Sequence, residues 1–263
     1  MLYIVATPIG NLKDITLRAL EVLRSVDLIA AEDTRHTKIL TVHYDIKTPL
    51  TSYFEHNKIA KGDYLIRLLK EGKNVALVSD AGTPGISDPG AHIIGLAIKN
   101  AIPVAGIPGP TALVLGLVVS GAPTDRFVFD GFLPPKSAAR KKRLSYLKDE
   151  KRTVIFYESP HRILRTLYDI LEIFGDINIS VMRELTKKFE EISRDKVSVL
   201  ISNFEKTRPR GEFLVVLNPA LSAAKSSYEA PPFRKKERDE AGKSGVNPRE
   251  AAGGEDTSGR DSK

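Results

Sequence analysis

Residues 74–90 read NVALVSDAGTPGISDPG, and this stretch decides the architecture. Val75, Ala76, Leu77 and Val78 form a short apolar run without polar alternation, the pattern of a strand buried on both faces of a parallel sheet. The run breaks into Ser79, Asp80, Ala81, Gly82, Thr83, Pro84, Gly85, Ile86, Ser87, Asp88, Pro89 and Gly90. Glycine and proline at that density exclude a regular element and predict a rigid, sharply turned loop whose backbone another molecule can approach closely. From Ala91 onward, Ile93, Ile94, Leu96 and Ala97 restore helical spacing, with Asp88 placed to cap and Pro89 as first helical residue. Ordinary βα connections take about two to six residues, so one of roughly twelve favours a functional loop at the carboxyl edge of the sheet, where open α/β folds place ligands.

Working outward, the same alternation recurs. Strands are predicted over 3–6, 27–31, 50–53 and 103–106, with helices over 14–25, 37–42, 59–70 and 112–119. This is the order of a mostly parallel α/β sheet. Composition shifts near Ala122. A basic helix is predicted over 137–147, followed by a second αβ unit that begins at Thr153 (TVIFYESPHR), with further strands over 177–182 and 212–217, a short element over 191–193 and helices over 163–173 and 197–203. The expected division is an N-terminal α/β domain over 1–121 and a C-terminal α/β domain over 122–219. The remainder, 220–263, has almost no large apolar residues and is expected to be disordered, because too little burial is available to offset ordering entropy.

The 263 residues carry 41% apolar and 28% charged residues, the balance of a soluble globular protein. The absence of cysteine excludes disulfides, thiolate catalysis and zinc–sulfur sites. His36, His43, His56, His92 and His161 lack ligand spacing, so no metal is expected. The first residues, MLYIVATPIGN, have no basic segment and too short an apolar run for a signal peptide or membrane span, which points to the cytoplasm. The net charge of +7 favours a polyanionic partner. No GK[ST] follows the Thr7–Asn11 turn and no GxGxxG is present, which disfavours a nucleoside-triphosphate cradle.

The loops after the predicted strands are what carry chemistry. TPIGNL (7–12), AEDTR (31–35), SDAGTPGISDPG (79–90), PGPTA (108–112), FYESPHR (156–162) and RELTKKFEE (183–191) occur in that order. Together they resemble the ribosomal RNA small subunit methyltransferase I family, part of the tetrapyrrole-methylase fold superfamily, over residues 1–218. The resemblance implies a two-domain homodimer with S-adenosylmethionine in a cleft between the halves. It further implies 2′-O-methylation of a cytidine in the decoding region of 16S rRNA, within the small ribosomal subunit. Carried over by motif, the cofactor-binding positions are Pro8, Ser79, Asp80, Ala81, Thr83, Thr111, Ala112 and Glu158. Where tetrapyrrole members carry Gly-Asp-Pro, this chain has Ser79-Asp80-Ala81-Gly82, which argues for the RNA branch.

A ribose hydroxyl is a poor acid, so a carboxylate within hydrogen-bond reach would assist as general base. Glu32, Asp33 and Glu158 are the catalytic candidates, with Asp80 read mainly as a cofactor ligand. Arg35 and the cluster Arg140, Lys141, Lys142 and Arg143 are expected to meet RNA phosphates. Tyr53, Phe54 and Tyr157 are possible cleft aromatics, while His161 and Arg162 either face the cleft or cap the following helix. The alternatives are a precorrin-type tetrapyrrole methyltransferase, disfavoured by the basic helix and the altered central loop, and a non-catalytic ribosome-assembly factor.

Overall fold

The computed structural model describes residues 1–207 and 209–220; apart from Ala220, the expected disordered tail lies outside them. The protein is α/β, built around two five-stranded sheets. The first contains β1 (Leu2–Val5), β2 (Leu28–Ala31), β3 (Leu50–Ser52), β4 (Val75–Val78) and β5 (Val104–Ile107) in the order β3-β2-β4-β1-β5. Every pairing in it is parallel. The expected apolar strand at 75–78 is central and wholly buried. Its alternate side chains serve opposite layers. Ala76 and Val78 join Val5, Leu20, Leu23 and Leu40 beneath α1 (Leu17–Ser25) and α2 (Thr34–His43). Val75 and Leu77 join Leu2, Ile4, Leu65, Leu69 and Ile93 beneath α3 (Lys58–Lys70) and α4 (Gly90–Lys99). Burial on both faces is why the strand reads as an unbroken apolar run.

The second sheet contains β6 (Phe127–Phe132), β7 (Thr153–Glu158), β8 (Asn178–Arg183), β9 (Glu191–Lys196) and β10 (Phe213–Leu217), ordered β6-β7-β10-β8-β9. Only β6 and β7 run parallel there. One face is covered by α6 (Ser137–Leu147), α7 (Ile163–Phe174) and α8 (Val197–Lys206). The other face, with Ile155, Leu214 and Val216, receives α5 (Ala112–Ser120). The fit is close: a Cβ added to Gly116 would collide with Leu214 Cδ2. Thus α5, which precedes the expected boundary at 121, buries its apolar side against the second sheet.

β6, half-exposed and interrupted by an irregularity between Phe129 and Phe132, is a strand that the sequence analysis did not place. Two sequence expectations are corrected. Pro89 caps α4 rather than opening it, although Asp88 does serve the helix start by accepting from the Gly90 amide at 2.7 Å. Tyr53 is interior, with its hydroxyl 3.0 Å from His92 Nδ1.

Candidate functional site

Parallel strands deliver their carboxyl-end loops to one edge, and here those loops are tied together. The Thr7 and Gly82 backbones bond reciprocally at 2.9 and 3.0 Å, and the Thr7 hydroxyl donates to Ser79 O. The Asp33 amide donates to Asp80 Oδ1 at 3.0 Å, and the Asp80 amide to Glu32 Oε2 at 3.3 Å. The Thr83 hydroxyl donates to Pro110 O. Gly82 and Gly85 have φ of 81° and 93°, the left-handed conformations that glycine allows the loop. Asp88 holds the loop's far end by accepting from both Gly85 and Gly90 amides.

The second sheet closes the other side. A Cβ on Gly10 would collide with Lys187 Cγ and approach Leu185 O to 2.9 Å, so the first turn packs tightly against the 184–190 loop. Ser87, Glu184 and Thr186 take positive φ without being glycine, which puts strained backbone on both sides of the opening. Tyr157 stacks edge-on with Phe129; burial pushes its phenol up, opposed by hydrogen bonding to the Leu113 backbone and Thr111 side chain.

The result is a cleft of about 430 Å³, within the size range of small-ligand sites. It gathers Glu32, Ser79, Asp80, Ala81, Thr83, Thr111, Ala112 and Glu158 from the expected set. Pro8 instead lines a neighbouring chamber that shares Ile9, Ser79, Asp80, Ala81 and Glu212 with the cleft. Asp33 lines neither. It is the N-cap of α2, accepting from the Arg35 amide and holding the Arg35 guanidinium at 2.6 Å, which keeps its carboxyl far below the usual range.

The carboxylates divide into distinct roles. Burial raises Glu32 above its ordinary pKa, with Asp80, Asp88 and Asp33 adding like-charge repulsion against the opposing Asp80 amide hydrogen bond. Glu158, expected as a catalytic candidate and cofactor contact, lines the cleft with its carboxyl already bonded on both oxygens. Its fully buried carboxylate takes the Arg162 guanidinium and Thr166 hydroxyl, each at 2.7 Å, and the Ser159 amide at 2.8 Å. Arg162 also donates to Leu133 O, so it is structural, and His161 is exposed.

Arg140 is likewise removed from the RNA-facing set. It is buried, bonds Asp169 at 2.6 Å and donates to Pro135 O. Lys141 pairs with Glu172 and Arg143 with Asp130, leaving Lys142 as the exposed member with no ion pair among the described residues. Sequence reasoning missed Phe132, Met182, Leu185, Glu212 and Leu214, all of which line the cleft. The RELTKKFEE motif was the available signal for Leu185; β10 offered none.

Comparison with known proteins gives the family and the fold. The profile of the tetrapyrrole (corrin/porphyrin) methylases matches residues 1–200. The ribosomal RNA small subunit methyltransferase I of Thermotoga maritima is 52% identical over 217 residues, covering 82% of this chain and 97% of that protein. Its namesake in Synechocystis sp. is 48% identical over 229 residues, covering 87% and 82%. Among solved structures, a cobalt precorrin-4 methyltransferase superposes with a TM-score of 0.63 at 18% identity, over 84% of this chain and 95% of that one, a likeness of fold. The chain belongs to the tetrapyrrole methylase family, and within it to the ribosomal RNA small subunit methyltransferase I group.

Proposed function

We propose that the protein transfers a methyl group from S-adenosylmethionine to the 2′-hydroxyl of a cytidine in the decoding region of 16S rRNA. What carries the reading is the junction of the 32–33, 79–90 and 111–112 loops around one cleft, with a half-buried glutamate in its wall. The residues present fit the cofactor. Met182, Leu185 and Leu214 offer an apolar wall for an adenine ring. The N-terminus of α5 opens at the cleft without a side-chain cap, so its amides suit a carboxylate. Ser79, Asp80, Ala81 and Thr83 supply backbone and side-chain polar groups between these ends.

Bound there, S-adenosylmethionine supplies a sulfonium methyl that is already electrophilic. The protein's work is therefore alignment and proton removal, the first worth on the order of 7–11 kcal/mol at most and the second roughly 10²–10⁴-fold. Glu32 is the base: its carboxylate accepts the ribose hydroxyl proton as the new C–O bond forms. Asp80 orients it through its amide, while Asp33 fixes Asp80 by donating its own amide to that carboxylate. Glu158 holds the wall rather than moving a proton.

A homodimer in the cytoplasm is part of the proposal. Val114 and Val118, one turn apart on α5, are 48% and 66% exposed, and a second copy would cover them. The deciding experiment incubates the protein with tritiated S-adenosylmethionine and either unmodified small ribosomal subunits or uroporphyrinogen. Label in the rRNA supports the reading, and label in the tetrapyrrole replaces it. Absence of calorimetric heat with the cofactor would indicate a non-catalytic assembly factor.

A further inference from the structure

A second concave surface lies beside the cleft, between α2, the loop that follows it and β3. It measures about 860 Å³ and is open to solvent, because β3 is the edge strand of its sheet. Its cationic lining is Arg35, Lys38 and Lys47, opposed by Asp45 alone among the carboxylates that line it. Lys61 adds a further ammonium, donating to the Thr51 hydroxyl on the groove floor at 3.1 Å. Lys38 is exposed and has no ion pair among the described residues. Lys47 pairs with Asp45, but both side chains are more than 80% exposed (83% and 82%), and such surface pairs contribute little and exchange readily.

The groove and the cleft share no lining residue but open at the same edge of the first sheet. β2 and β3 are parallel, so Ser52 reaches the same sheet edge as Ala31 and Glu32. Arg35, at the groove's near end, is tied to Asp33, whose amide bonds the cleft residue Asp80. From there the groove follows α2 for about 15 Å, given the rise of an α-helix. The basic helix α6 has committed Arg140, Lys141 and Arg143 to Asp169, Glu172 and Asp130.

We infer that this groove binds the sugar-phosphate backbone of the RNA strand flanking the target nucleotide. The inference rests on the rRNA reading above and deepens it. A solvent-facing row of ammonium groups neutralises phosphates without reading bases, fixing register while the cleft receives the nucleotide.

The test measures binding of a fluorescein-labelled single-stranded RNA across a salt series, for wild type, Lys38→Gln/Lys47→Gln and Lys142→Gln. Each phosphate left without its ammonium partner lowers the slope of log affinity against log salt by about 0.7, so the slope of the double variant should fall by about 1.4, with weaker binding. Lys142→Gln should keep the wild-type slope. S-adenosylmethionine binding by calorimetry should be unchanged in the double variant, which shows that it is folded with its cleft intact. An unchanged slope in the double variant, or the larger decrease in Lys142→Gln, overturns the groove while leaving methylation of subunits by wild type intact. Failure of wild type to bind this RNA and to methylate small subunits overturns the substrate reading, and the groove with it.

Discussion

Replacing Glu32 by Gln separates the demands of chemistry from those of stability. The amide oxygen can still accept from the Asp80 amide, so the loop junction and cofactor affinity should persist. Without a carboxylate, the base contribution disappears, and kcat should fall by roughly 10²–10⁴-fold. Stability should move the other way. Burial favours the protonated form of Glu32 in the folded state, so its folded pKa lies above the ordinary 4.5. Stability is then lost as pH rises through that folded value, and the carboxylate is a burden near neutrality. The amide removes the burden, so Glu32→Gln should melt higher than wild type near neutral pH. Well below 4.5 the two should coincide, because the wild-type group is then protonated in both states. The acid limb of the kcat profile should likewise sit above the ordinary glutamate value and vanish in the variant. Single-turnover methylation of small subunits and thermal melts across pH measure both effects. A kcat within about threefold of wild type, with cofactor affinity retained, would refute the base assignment.

Three further outcomes follow from the packing. Asp169→Ala strands the buried Arg140 charge and should cost about 3–5 kcal/mol by urea denaturation, whereas Arg140→Met with Asp169→Leu should recover most of it. Gly116→Val drives a methyl group into Leu214; it should cost about 1–3 kcal/mol and weaken cofactor binding through α5, read by melting and calorimetry. Asp88→Ala removes the acceptor for the Gly85 and Gly90 amides and should cost about 1 kcal/mol, while hydrogen exchange speeds at both positions.

Much of the fold was legible because the decisive strand is buried on both faces and the central loop is written in glycine and proline. Val75–Val78 and the turn beyond it follow from residue type alone. β6 did not, since its apolar run Phe127-Val128-Phe129 is half-exposed and cut short by Asp130-Gly131, where the pairing is irregular. In the site, local motifs placed Ser79, Asp80, Thr83, Thr111 and Glu32 together. What they could not place was charge commitment. Arg140 meets Asp169 across 29 positions and Glu158 meets Thr166 on the next helix, so a single sequence shows the cations and carboxylates but not their partners. Burial separates Glu32 from Asp33 for the same reason: neighbours in sequence, one lines the cleft and the other caps a helix.

The most direct measurement is nucleotide-resolution mapping of ribose methylation on small-subunit rRNA after incubation with the protein and S-adenosylmethionine. The account predicts one new 2′-O-methylcytidine in the decoding region, formed far more slowly when Glu32→Gln replaces wild type. Methylation of a base, of a ribose elsewhere, or of no nucleotide at all would contradict it.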